Sequence, residues 1–230
     1  MNERQQRAWA ALDLGPVWIA RAHAVCMPAG EPQADLLPQG QPTPSSTPVL
    51  TLHDLRDQVM GCEKCALAAG RTQVVFGRGP SPAPWMVIGE APGEQEDLQG
   101  VPFVGPAGQL LDQMLAAIGV ERARDVFVAN VLKCRPPRNR DPLPEEVAQC
   151  RPWLVAQIAA VQPRVILAVG RFAAQTVLQT DETIGRLRGT VHRSGEIPVV
   201  ATYHPSYLLR SPAEKAKAWQ DLLMARSLVP

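Results

Sequence analysis

Three things are missing from this 230-residue chain, and each absence narrows what it does. No apolar run approaches the ~20 residues needed to cross a bilayer, and the opening residues, Met1 to Arg7, lead into no secretory h-region. A soluble, cytoplasmic protein without membrane contacts is expected. Net charge is also nearly absent, formally +1. No global field draws the chain onto nucleic acid, so any such binding must come from local basic clusters. Finally, there is no disulfide framework. Five cysteines, an odd number, in a chain without an export signal argue for metal or redox use of some of them. Core-forming residues, by contrast, are plentiful. At 46% hydrophobic, the chain can bury one α/β core and still leave a short extra segment.

Composition divides the chain into three parts. Residues 1–27 hold a short amphipathic stretch, with Trp9 and Leu12 on one helical face, ended by Gly15-Pro16. Residues 28–49 are rich in Pro, Gln, Ser and Thr and read as an extended linker. The globular domain is expected over 50–230. Within it, apolar runs alternate with helical patterns, the signature of a parallel sheet covered on both faces. Strands are predicted at 85–88, 126–129, 165–169 and 197–201, and helices at 51–60, 107–118, 144–161, 171–179 and 213–228. The expected fold is an α/β three-layer α/β/α sandwich around a four-stranded parallel sheet. In such sheets ligands sit beyond the carboxyl ends of the strands. Those positions hold Gly89-Glu90, Asn130, Gly170-Arg171 and Tyr203-His204.

Cys62 and Cys65 form a C-x-x-C pair, and Cys134 and Cys150 follow after intervals of 68 and 15 residues. Four thiolates with one tight pair suit either zinc or an iron-sulfur cluster, and the C-x-x-C alone suits a redox pair. Spacing does not choose among them. Cys26 lies in the tail with no partner nearby in sequence.

Several motifs stand in a telling order. Gly89-Glu90-Ala91-Pro92-Gly93-Glu94-Gln95-Glu96-Asp97 follows a predicted strand, and Gly100-Val101-Pro102-Phe103-Val104-Gly105 comes soon after. Asn130 precedes Lys133-Cys134-Arg135-Pro136-Pro137 with Asn139-Arg140, and His204-Pro205-Ser206-Tyr207-Leu208-Leu209-Arg210 closes the set. Together with the four cysteines, this order and spacing resembles the family 4 uracil-DNA glycosylases, the iron-sulfur branch of their superfamily, over about residues 52–225. The resemblance implies removal of uracil from single- or double-stranded DNA, leaving an abasic site for base excision repair. It also implies a 4Fe-4S cluster on Cys62, Cys65, Cys134 and Cys150.

Each motif then has a physical reading. A flipped-out base must be stacked and its polar edge bonded. Phe103 offers the ring, Asn130 offers a donor and an acceptor for the imide N–H and adjacent carbonyl of uracil, and Gly89 and Ala91 lie beside them in the motif. Glu96 is expected at the pocket edge, where thymine carries its methyl; the alternative is a solvated loop carboxylate. Cleavage leaves an oxocarbenium-like sugar and a uracil anion. His204 is the expected donor to the leaving base, and Glu90 the residue that positions water or supports the cationic sugar. Lys133, Arg135, Arg138 and Arg140 form an acid-free basic stretch suited to phosphates, with Arg210 beside the last motif. By its place after His204, Leu208 matches the family's wedge, which fills the stack vacated by the base.

Two other readings remain. One is a uracil-DNA binder without turnover, as in a related branch that traps the base on a histidine after the basic motif; this chain has no histidine between residues 54 and 191. The other is a zinc-stabilised nucleotide-binding module. A monomer is expected, and the tail is a candidate for docking on a repair partner.

Overall fold

A computed structural model describes residues 51–229. The amphipathic tail, the linker and Cys26 lie outside the described residues. Five strands form one sheet: β1 (Trp85–Gly89), β2 (Val126–Asn130), β3 (Val165–Val169), β4 (Val191–Ser194) and β5 (Ile197–Thr202), in the order β2-β1-β3-β5-β4. Strands β1, β2, β3 and β5 are parallel, and β4 pairs antiparallel with β5. All residues of β1, β2 and β3 are buried, as expected for runs of Val, Ile and Leu covered on both faces.

The four-stranded expectation is short by one, at the edge. β4 reads Val-His-Arg-Ser and is half exposed. It therefore carries no apolar pattern that marks a buried strand, and it forms because the chain folds back through Gly195-Glu196 onto β5.

Alternate side chains of the strands build two cores. Met86, Ile88, Phe127, Ala129, Ile166 and Ala168 pack under α1 (Leu52–Met60), α4 (Pro144–Val161) and α5 (Arg171–Leu178). Trp85, Val87, Val126, Val128, Val165 and Leu167 pack under α3 (Pro106–Ala117), α6 (Pro205–Arg210) and α7 (Lys215–Ser227). The result is the three-layer sandwich. Local chemistry fixes the helix starts. Thr51 and Asp54 form a capping box at α1, and Pro144 occupies the first turn of α4. The short α2 (Glu94–Gln99) follows β1 directly.

Strand β1 has β2 on one side and β3 on the other. The chain order therefore reverses across it, which opens a crevice beyond the carboxyl ends of the strands. Among the described residues, no helix is long and apolar enough to cross a membrane.

Candidate active site

The crevice is lined by Glu90 and Ala91 after β1, Asn130 at the end of β2, Gly170 and Arg171 after β3, and Tyr203 and His204 after β5, with Phe103 and Glu96 from the segment between β1 and α3. Gly89 and Asn130 are register partners across β1 and β2. A Cβ on Gly89 would lie 2.4 Å from Asn130 Oδ1 and 2.7 Å from Phe103 Cζ. The missing side chain is what lets the amide and the ring approach each other. Asn130 is 2% exposed, and its Oδ1 is buried with no hydrogen-bond partner. A buried polar atom in that state is costly, and it marks a place where a ligand group completes the bonding.

Phe103 has a left-handed backbone, φ +56°, which is rare for a bulky residue and persists only when the surroundings over-determine it. Both flanks of the residue are pinned. Arg122 donates to the carbonyls of Phe103 and Pro102 at 3.2 and 2.8 Å. The carboxylate of Glu96 accepts from the N–H groups of Val104, Gly105 and Gly93 at 2.9, 3.2 and 3.1 Å. Glu96 lines the crevice, and it is not a free solvated carboxylate: it clamps the turn after β1 to the Phe103 loop.

His204 caps α6, its Nδ1 accepting the Ser206 N–H at 3.1 Å, with Ser206 Oγ 2.7 Å from the same nitrogen. This places the proton of the neutral ring on Nε2. Burial, helped by Arg210, pushes the imidazole pKa down to about 4, against an opposing pull from Glu96. At neutral pH the ring is an uncharged donor. Its ring centroid is 5.6 Å from that of Phe103. Gly170, with φ +94°, keeps its backbone against His204, where a Cβ would come within 3.1 Å of the histidine Cβ.

Glu90 is half-buried, and burial together with nearby Asp141 pushes its carboxyl up to about 7, while Arg171 pulls the other way. Arg171 and Asp141 are themselves paired at 2.9 Å. The crevice thus holds a stacking ring, an unsatisfied amide, a neutral donor and a carboxyl poised near neutrality.

A second hollow lies beside α1 and α4, lined by all four expected cysteines with Lys64, Arg71, Lys133 and Trp153. None of the four is in a disulfide. Arg71 Nη1 donates to the Cys62 carbonyl at 2.6 Å and lies 3.4 Å from Cys134 Sγ. Burial pushes the Cys150 thiol up to about 11, against the pull of Lys133. Among the described residues, no group of three or more His, Cys, Asp or Glu is arranged to hold a metal ion.

Comparison with known proteins settles the family. The model of the uracil DNA glycosylase superfamily matches residues 76–223. A type-4 uracil-DNA glycosylase of Archaeoglobus fulgidus is 46% identical over 170 residues, covering 70% of this chain and 85% of that one. Those of Pyrobaculum aerophilum and Thermotoga maritima are 40% and 41% identical, covering 76% and 75% of this chain and 93% and 92% of theirs. The chain belongs to the uracil-DNA glycosylase superfamily.

Within this superfamily member the basic stretch is less uniform than its sequence. Lys133 is 1% exposed, and its Nζ donates to the Asn130 carbonyl at 2.6 Å. It does not reach a phosphate, because its side chain runs inward toward the cysteines. Arg135 bonds Asn139 Oδ1 at 2.8 Å and approaches Glu94 at 3.6 Å. Arg140 is held by the buried Glu146 at 2.6 Å. Arg138 and Arg210 are exposed. Leu208 is 1% exposed and belongs to the core under α3, whereas Leu209 is 46% exposed. The wedge expectation for Leu208 is corrected accordingly: the helical turn of α6 sends that side chain inward and its neighbour outward. Arg122, Arg71 and Asp141 have no signal in the sequence that marks them as site residues, and Arg171 is marked only by its place after β3. Each acts through a contact distant in sequence, and an isolated arginine or aspartate carries no signal of that.

Proposed function

We propose that this chain is a monofunctional uracil-DNA glycosylase that flips uracil out of DNA and hydrolyses its N-glycosidic bond, leaving an abasic site for base excision repair. The observation that carries the reading is the buried, unpartnered Asn130 Oδ1 beside Phe103 and a neutral His204. Uracil stacks on Phe103, and its imide N–H satisfies Asn130 Oδ1 while the amide nitrogen bonds the adjacent carbonyl. Cytosine, with an acceptor where uracil has that N–H, leaves Oδ1 unpaired. Gly89 and Ala91 leave room for the base.

As the C1′–N1 bond lengthens, its electron pair moves onto the base. His204 Nε2–H donates to the carbonyl nearest the breaking bond and stabilises the anion without giving up its proton. The neutral ring suits this role, as its low pKa keeps it uncharged in the ground state. Glu90, in its carboxylate form, supports the cationic sugar, orients the water that adds at C1′ and takes the proton that water loses, while the uracil anion is protonated from solvent on release. The exposed Arg138 and Arg210 hold phosphates, and Arg135 and Arg140 edge the same basic face. Leu209 takes the wedge role beside Arg210.

Cys62, Cys65, Cys134 and Cys150 are the ligands proposed for a 4Fe-4S cluster. The fit is supported by the buried Lys133 ammonium, which has no carboxylate partner among the described residues and faces the thiols. All four cysteines line one hollow and none is in a disulfide, so their sulfurs are free to act as thiolate ligands there. Bound there, such a cluster would tie the segment after α1, at Cys62 and Cys65, to the basic loop at Cys134 and to α4 at Cys150, leaving bond cleavage to the crevice. The substrate is uracil-containing DNA.

The test is conversion of a single-stranded uracil oligonucleotide to an alkali-cleavable product. Replacing Asn130 or His204 by alanine is expected to lower the rate by ~10²-fold or more. Intact uracil DNA after prolonged incubation with iron-loaded wild-type protein refutes the enzyme reading and leaves the binder without turnover.

A further inference from the structure

Lys133 is an anomaly in the fold. A lysine ammonium is almost never fully buried without a counter-ion, because removing its charge from water is expensive. Here the side chain is 1% exposed, and no carboxylate reaches it among the described residues. Its one hydrogen bond is to the backbone carbonyl of Asn130, at 2.6 Å. The side chain lines the same hollow as Cys134 and Cys150, whose sulfurs become anionic only as thiolate ligands. One residue thus touches both the cysteine hollow and the strand end that presents the base-reading amide. Arg71 reaches the hollow too, donating to Cys134 Sγ at 3.4 Å and to the carbonyls of Cys62 and Met60, but it makes no hydrogen bond to the end of β2.

Resting on the iron-sulfur reading above, we infer that Lys133 is the counter-cation of the four-thiolate site and a positioning residue that transmits the state of that site to Asn130. Four thiolates around a cluster leave a net negative charge, which a buried ammonium balances, and the same ammonium holds the Asn130 carbonyl and with it the end of β2. The anionic site keeps Lys133 inward, and Lys133 keeps the amide in the crevice. Without the negative charge the ammonium has no reason to stay buried, and the amide loses its brace from behind.

The variants Lys133→Met, which keeps the length and drops the charge, and Lys133→Gln, which keeps a donor without the charge, separate the two roles. Wild-type protein that holds no iron, or that leaves uracil DNA intact, removes the underlying reading before either variant is made. With that reading secure, both variants are expected to shift the reduction potential of the cluster to more negative values, because a nearby positive charge favours the reduced form. Lys133→Met is expected to lose at least ~10-fold in kcat, as a displaced binding group does, and Lys133→Gln to lose less. A potential equal to wild type in both variants, or an unchanged kcat in Lys133→Met, overturns the inference. Loss of iron from a variant with a native circular dichroism spectrum supports the counter-cation role. If neither variant folds, hydrogen exchange over residues 128–134 of the wild-type protein decides, measured before and after the iron is chelated. Faster exchange in that segment supports the coupling, and unchanged exchange overturns it.

Discussion

Adding one methyl group at Gly89 probes the pocket with little disturbance to the fold. The glycine lies at the end of β1, and its backbone does not adopt a positive φ, so alanine is allowed there and gains slightly in strand entropy. The methyl, however, would sit 2.4 Å from Asn130 Oδ1 and 2.7 Å from Phe103 Cζ, where ordinary contact begins at 3.4 Å. The amide must retreat by about 1 Å and the ring by somewhat less, and a misplacement of that size costs on the order of 10²-fold in rate. Phe103 is clamped through Glu96 and Arg122, so the amide gives way first. Overpacking of this kind destabilises by about 1–3 kcal/mol, a fall of a few degrees in Tm for a domain of this size. The assay is single-turnover excision from a uracil oligonucleotide, read beside Tm and iron content. The expected outcome for Gly89→Ala is a ~10²-fold loss of excision rate with iron retained and the fold intact. A rate within about threefold of wild type refutes the placement of the base between Asn130 and Phe103.

Excision by the wild-type protein is expected to rise with pH through about 7 as Glu90 ionises, and Glu90→Gln is expected to flatten that profile and remove most of the rate; a wild-type profile flat from pH 5 to 9 rules out the carboxylate role. The folded pKa of Glu90 is raised above its ordinary value of 4.5, so its stability contribution is full below about 4.5 and lost as pH rises through about 7. Glu90→Gln is therefore expected to melt higher than wild type at pH 8 and alike at pH 4.5, which calorimetry at the two pH values checks. Leu208→Ala is expected to cost about 2–5 kcal/mol of stability. Leu209→Ala is expected to leave Tm unchanged and to lower activity on duplex uracil DNA more than on single strands; equal losses on both substrates exclude Leu209 from the wedge role.

Much of the fold could be read from local patterns. The four apolar runs and the long helices fall close to where periodicity and proline signals place them, since each is decided by burial on two faces or one. The edge strand β4 and the short helices could not be read this way. A four-residue strand with one apolar side chain owes its existence to its pairing with β5 rather than to its own composition. The candidate site divides along the same line. Asn130, His204 and Glu90 meet in one crevice because strand ends converge, and their positions after the strands are visible in the sequence; Phe103 joins them from the loop before α3. The true situations of Lys133 and Leu208 were not visible: whether a lysine in a basic run or a leucine in a polar turn faces inward depends on which neighbours the tertiary fold supplies. Glu96 is a further case, because the three backbone N–H groups that occupy it come from two separate turns.

The left-handed Phe103, clamped from both sides, has a consequence for the end of the catalytic cycle. A slot whose stacking ring and amide are fixed by the protein's own bonds is assembled before any DNA arrives. Such a slot does not distinguish a base still joined to sugar from one already cut free. On the proposed reading, the liberated uracil is expected to fit where it was read and to compete with the next lesion. Added free uracil is therefore expected to slow multiple-turnover excision, which titration of the base into the assay checks.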